Sequence, residues 1–285
     1  MSRALVAWMN GERVGVWTVS PRGAHSFKYE PEWAASDRSR ALSLALPIPI
    51  DPSMELRTNV AEYFDNLLPD SDEIRARIRA RFGVRSRQAI DLLTEIGRDS
   101  IGALQLLPPG EQPSDFDEIH GERISDEEIA QHLRQIRAPG FMGQRADDVF
   151  RISLAGAQEK TALLRLDGQW HKPERSTPST HILKLPLGRL RNEIDLETSV
   201  ENEWLCGELL RAMGLPVANA EMATFDDQRV LVVERFDRRL VTGTKRWIQR
   251  LPQEDFCQAT GTPRDMKYNA EGGPGLFECL DLLAG

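Results

Sequence analysis

Six consecutive residues, Ala155-Gly156-Ala157-Gln158-Glu159-Lys160, combine small side chains with a carboxamide, a carboxylate and a lysine. They lie inside Arg151-Ile-Ser-Leu-Ala-Gly-Ala-Gln-Glu-Lys-Thr-Ala-Leu-Leu-Arg-Leu166. Small residues let a backbone approach a ligand closely, and successive N–H groups in such a loop can cradle phosphate. Read alone, the stretch fits an ordinary hairpin turn better than a nucleotide loop. Three later features give it a direction. Lys184 sits in the strand-like Ile182-Leu-Lys-Leu185. A helical pattern follows with four glutamates, and Glu203 is favoured among them because Val200 and Trp204 put it near the edge of the packed stripe. Glu234-Arg235-Phe236 then follows an apolar strand, where backbone groups can meet an adenine edge. A loop over phosphates, a lysine that neutralises them and a helix carboxylate that positions the lysine are the parts phosphoryl transfer needs. Lys184 also fits a snorkelling side chain on an edge strand.

Composition bounds the reading. A chain of 285 residues exceeds the usual single-domain size, so two packed units are expected. The net charge of −8 argues against a protein whose main task is coating nucleic acid. No apolar run is long enough to span a membrane and Met1-Ser-Arg-Ala-Leu-Val has no signal-peptide character, so the expected location is cytoplasmic. The cysteines Cys206, Cys257 and Cys279 are odd in number and form no Cys-x-x-Cys pair. The five histidines lack metal-ligand spacing, and no metal site is assigned.

The elements that must position these residues follow from periodicity. Leu5 to Met9, Asn10-Gly11 and Glu12 to Trp17 predict a hairpin around a two-residue turn. A strand is predicted at 26–29 and helices at 59–68, 71–83 and 87–96. In the second helix Ile74, Ile78 and Phe82 form the apolar stripe, so Arg75, Arg77, Arg79 and Arg81 are expected to point largely away from it, as a solvated face or a contact for phosphate or an acidic partner. A strand at 101–107 precedes Pro108-Pro-Gly-Glu-Gln-Pro113, the best boundary candidate. Ser125-Asp-Glu-Glu128 predicts a capping box that opens a helix ended by Ala138-Pro-Gly140. The second half predicts a hairpin around Asp167-Gly168, a strand at 180–185 and a long helix over about 196–213 burying Val200, Trp204, Leu205, Leu209 and Met213. Strands at 220–225 and 229–235 follow, then a last helix at 276–283 with an exposed apolar face.

Several long stretches resemble one family. Ile152-Ser-Leu-Ala-Gly-Ala-Gln-Glu-Lys-Thr-Ala-Leu163 is similar to the nucleotide loop of HipA-type serine/threonine kinases, the toxins of HipBA toxin–antitoxin modules. Phe64-Asp-Asn-Leu-Leu-Pro-Asp70, Glu95-Ile-Gly-Arg-Asp-Ser100, Thr180-His-Ile-Leu-Lys-Leu-Pro186, Val233-Glu-Arg-Phe-Asp-Arg-Arg239, Leu251-Pro-Gln-Glu-Asp255 and Gly272-Gly-Pro-Gly275 match the same family. The resemblance implies an α+β fold. Its parts would be an N-terminal mixed α/β subdomain at 1–108, a linker and helix at 109–149, and a kinase-like nucleotide lobe of antiparallel strands and one long helix at 150–285. It implies ATP with Mg²⁺, with Ala155 to Lys160 and Lys184 at the phosphates and Glu234 to Phe236 as the hinge. Ser153 would be a self-phosphorylated off-switch, since phosphate there would repel a loop built to hold phosphate. A HipB-like antitoxin, operator DNA reached mainly through it, and a translation-related protein substrate of the aminoacyl-tRNA synthetase class complete the implied partners. The family's Asp-Gly-His-x-Lys-Asn-like loop and later metal-binding aspartate belong to a helical C-lobe. Neither motif occurs in these 285 residues, so no catalytic residue is assigned and the chain is expected to be catalytically incomplete. The alternatives are a non-catalytic remnant that binds a HipB-like antitoxin or a separate C-lobe subunit, and a decayed fragment.

Overall fold

The computed structural model describes residues 2–137, 154–156, 158–189 and 194–284. In chain order the elements are β1 (Arg3–Met9), β2 (Glu12–Val19), β3 (His25–Tyr29), α1 (Pro31–Ala34), α2 (Val60–Asp65), α3 (Asp72–Phe82), α4 (Ala89–Ile96) and β4 (Leu104–Leu107). There follow β5 (Gly121–Arg123), α5 (Asp126–Arg137), β6 (Lys160–Leu166), β7 (Gln169–Pro173), β8 (His181–Lys184), β9 (Gly188–Arg189), β10 (Asp195–Leu196) and α6 (Ser199–Ala212). The last are β11 (Ala220–Phe225), β12 (Gln228–Glu234), β13 (Arg238–Val241), β14 (Trp247–Arg250), α7 (Phe256–Thr260) and α8 (Leu276–Ala284). The packing groups residues 1–113, 153–156 and 250–285 as one compact unit and 114–152 with 157–249 as a second. This grouping does not follow chain order, because the last 36 residues pack with the first unit.

The first unit is built on a four-stranded antiparallel sheet ordered β3-β2-β1-β4. Asn10 and Gly11 both take positive φ (47° and 84°), the conformation a two-residue hairpin turn requires, and they set the β1–β2 register. Trp17, Phe27, Phe64, Leu92 and Leu93 are fully buried in its core, and Trp17 stacks on Phe64 with ring centroids 4.1 Å apart. The helix predicted at 59–68 is shorter, Val60–Asp65, although Leu67 and Leu68 beyond its end are still buried. In α3, Ser71 caps the N-terminus and Gly83 closes the C-terminus at φ 64°. One expectation for this helix is corrected. Arg75 is 2% exposed and points inward, because its guanidinium donates to Asp65 Oδ1 at 2.6 Å and to the Pro69 carbonyl at 2.6 Å. A fork of charge-assisted bonds offsets its desolvation.

In the second unit a six-stranded antiparallel sheet runs β11-β12-β8-β6-β7-β5. Helix α5 opens with the predicted capping box, in which the Glu128 N–H donates to Ser125 Oγ and the Ser125 N–H to Glu128 Oε2. Its Ile129 and Leu133 cover Leu163, Leu183, Val230 and Val232 on one face of the sheet. Helix α6 is associated with β11 and β12. Here a second correction is needed. Leu205 and Leu209 are each 52% exposed and Met213 73% exposed, whereas Val200 is buried. At 3.6 residues per turn Val200, Glu203, Trp204 and Gly207 share a stripe, and Leu205, Leu209 and Met213 lie roughly half a turn from it. The apolar residues of α6 thus form two faces, and only one of them meets the sheet.

The aromatic stack makes a direct stability test. Phe64→Ala should remove about 3–5 kcal/mol, a large share of a typical domain's stability. Denaturant unfolding should show a lower midpoint with an unchanged slope.

Candidate nucleotide-binding site

Strand β8 lies between β6 and β12, so it is central and the edge-strand alternative for Lys184 falls away. Alternation along β8 sends Leu183 into the α5 core and Lys184 to the opposite face. The register makes Lys184 the partner of Leu231 on one side and of Lys160 on the other. Directly opposed residues share a face, so the two lysines stand side by side and repel. The Glu203 carboxylate reaches this face from α6, and Lys184 Nζ donates to Glu203 Oε1 at 2.5 Å. The structure therefore brings together Lys160, Lys184 and Glu203. Of the other helix glutamates, Glu201 pairs with Arg229 and Glu208 with Arg211, each away from the lysine.

The end of the loop is tied to the same strand. Leu185 N–H donates to the Glu159 carbonyl at 3.1 Å, and Gln158 Nε2 donates to the Leu185 carbonyl at 2.6 Å. Gln158, Glu159 and Lys160 are all half-buried. The start of the loop packs in the first unit. Gly156 takes φ 106°, pairs with Pro69 in an isolated parallel bridge and accepts from the Asp70 N–H at 3.2 Å. Ala155 is half-buried beside it. Ser153 and Ala157, like the helix stop at Pro139-Gly140, lie outside the described residues.

The stretch Glu234-Arg235-Phe236 has a distinct structure at each residue. Glu234 N–H donates to the Asn219 carbonyl and Arg235 N–H to the Thr180 carbonyl, both at 2.9 Å. Arg235 itself is 4% exposed, its guanidinium held by both Asp237 oxygens (3.0 and 2.8 Å) and donating to Ser179 Oγ. Its side chain serves the fold. Phe236 is 71% exposed. On the α5 face, His181 is the cross-strand partner of Glu234, and its ring meets Trp170 edge-on at 5.5 Å.

Two pairings at this site carry no local signal in the sequence. The Lys160–Lys184 opposition depends on the β6–β8 register, and the Gly156–Pro69 bridge joins residues far apart in sequence. The signal available for the second was the Phe64-Asp-Asn-Leu-Leu-Pro-Asp70 stretch, which the resemblance already picked out. Among the described residues no group of His, Cys, Asp and Glu is arranged to hold a metal, and no helix is long and apolar enough to cross a membrane.

A mixed α/β protein with antiparallel sheets, one carrying a lysine–glutamate pair beside a small-residue loop, is the class this geometry defines. Residues 5–107 match the family of the HipA N-terminal domain, and residues 152–285 match the HipA-like C-terminal domain. The chain is a HipA-type protein. It is 35% identical to Y4mE of Sinorhizobium fredii, provisionally designated a kinase, over 99% of this chain and 64% of that protein. It is 29% identical to the serine/threonine-protein kinase toxin HipA of Shewanella oneidensis over 87% of this chain and 52% of that one. Among solved structures, a Shewanella oneidensis HipA–HipB complex with its operator DNA matches at TM-score 0.72 and 25% identity, covering 96% of this chain and 60% of its counterpart. The chain thus spans between about half and two thirds of the length of these relatives.

Burial lowers the pKa of His181 from its ordinary 6.5, and Arg165 adds to the shift while Glu234 and Glu221 oppose it. The unfolded chain therefore binds the proton first as pH falls, and the stability held above about pH 6.5 is lost on acidification. His25, also lowered by burial, contributes with the same sign. Melting temperature should fall between about pH 8 and about pH 5, and His181→Gln should flatten part of that slope.

Proposed function

We propose that these residues form the nucleotide-holding part of a HipA-family serine/threonine protein kinase, the toxin component of a toxin–antitoxin module. One observation carries the reading: Lys184 on a central strand is ion-paired to Glu203 on α6, on the sheet face where Lys160 ends the small-residue loop. Two lysines on one face favour an anion, and the carboxylate holds Lys184 in place rather than leaving it to wander. Ala155 to Lys160 and Lys184 would contact the phosphates of ATP. The adenine edge would meet the Phe236 backbone, since the N–H groups of Glu234 and Arg235 are engaged internally. Mg²⁺ would arrive with the nucleotide. The division at 108 and 150 into subdomain, linker and kinase-like lobe belongs to the same proposal.

Phosphoryl transfer needs carboxylates for the metal and for the attacking hydroxyl. With no Asp-Gly-His-x-Lys-Asn motif in the sequence, the proposed role of these residues is binding and positioning, and the transfer step would draw on aspartates of a C-lobe. Self-phosphorylation at Ser153 as an off-switch and phosphorylation of a translation-related protein are proposed on the same family ground. A HipB-like antitoxin is the proposed partner, supported by the likeness to HipA in a HipA–HipB–operator complex. A non-catalytic chain that engages such an antitoxin is the second reading, supported by the same likeness to HipA in its HipB complex.

Calorimetric titration with MgATP tests the site. Lys184→Met should weaken binding about ten- to a hundredfold, as expected for loss of a charge-assisted contact, and Glu203→Gln by a smaller factor. Equal affinity in all three proteins would contradict the assignment. Incubation of this chain alone with labelled ATP should leave Ser153 unlabelled, and label there would refute the proposed incompleteness.

A further inference from the structure

The segment that pairs with the start of the loop is gripped from three sides within the first unit. Arg75 donates to the Pro69 carbonyl and to Asp65. Arg264 donates to the Asp70 carbonyl at 2.7 Å and to Asp72 Oδ1 at 2.9 Å, and its Nε lies 3.2 Å from Asp65 Oδ2. Lys267 donates to Asp70 Oδ2 at 2.8 Å. Asn66 adds a bond to the Thr262 carbonyl at 2.9 Å. The N–H, carbonyl and carboxylate of Asp70 are therefore all engaged, and its N–H is the one that holds Gly156.

Three cations converge on the eight residues 65–72, and Arg75 is almost wholly buried to take part. Single exposed ion pairs contribute little, but a network fixes geometry. That geometry bears on the loop for a covalent reason. In a trans peptide the N–H points opposite to the preceding carbonyl, so Arg75 on the Pro69 carbonyl aims the Asp70 N–H, while Arg264 and Lys267 hold the carbonyl and carboxylate of Asp70 itself. Gly156 sits at a φ only glycine adopts freely, so the loop's course here depends on an external hold as well as on the residue type.

We propose that Lys267 and Arg264, through Asp70, are positioning residues for nucleotide binding: they hold the Pro69–Asp70 segment against Gly156 and so preset the loop that takes the phosphates. This rests on the nucleotide reading of that loop. Preorganised donors bind without the entropy cost of ordering a loop, so releasing the anchor weakens affinity even though no ligand contact is removed.

The test compares wild type, Lys267→Met and Lys267→Arg in the whole chain. Hydrogen exchange reports the anchor without nucleotide. The Asp70 amide should exchange about tenfold faster in Lys267→Met, while amides of the β1–β2 pair keep their rates. The MgATP dissociation constant should rise about five- to tenfold, and Lys267→Arg should restore both values. Faster exchange at Asp70 with unchanged ATP affinity overturns the inference, as does no change in either. Failure of wild type to bind ATP would instead sink the nucleotide reading and this inference with it. Arg264→Lys, which keeps the charge but loses the fork, is the second variant should Lys267→Met fold poorly, with the same two readouts.

Discussion

Strand β8 can bury Leu183 only by sending Lys184 the other way, and this alternation governs much of the second unit. The strand is paired on both sides, so its register is fixed by β6 and β12 together. A one-residue slip would put Lys184 into the Ile129–Leu133 core and Leu183 against Glu203, a cost no local adjustment offsets. The lysine is therefore held at one place by the hydrophobic packing of the face it does not belong to. Its charge is then met by Glu203, and Lys160 stands opposite it on the same face.

The first unit shows the same economy with charge. Arg75, Arg264 and Lys267 meet Asp65, Asp70 and Asp72 in a compact set, and the backbone they hold is the one that meets Gly156. In the second unit, Arg235 and Arg238 enclose Asp237 just beyond β12, with all three side chains nearly inaccessible. The buried Arg235–Asp237–Arg238 set adds little net stability compared with apolar packing, but breaking one partner leaves an uncompensated charge. The first-unit set is partly exposed apart from Arg75, and its bonds fix the course of residues 65–72.

Local features were the legible part of the sequence. The Asn10-Gly11 hairpin, the Ser71 and Gly83 helix ends and the Ser125–Glu128 box are each set by a few neighbouring residues, and each formed as its chemistry requires. Periodicity misled where apolar residues occupied two faces. The apolar pattern places Leu205, Leu209 and Met213 of α6 in the packed stripe, but only Val200's side meets the sheet. Periodicity groups Arg75 with its outward neighbours, since nothing local shows that Asp65 and the Pro69 carbonyl lie on the inner side. The return of residues 250–285 to the first unit was invisible for the same reason, as it depends on pairings such as Asn10 with Arg250 across most of the chain. For the candidate site, residue types and order were readable and the Lys160–Lys184 register was not.

The central claim is that ATP binds on the Lys184 face of the six-stranded sheet. The most direct measurement is a two-dimensional amide NMR titration of the intact chain with MgATP. The account predicts the largest shifts at Gly156, Gln158, Glu159, Lys160, Lys184 and Phe236, with the β1–β4 sheet core unmoved. Saturable shifts confined to other surfaces, or no shifts at nucleotide concentrations well above the physiological range, would contradict it.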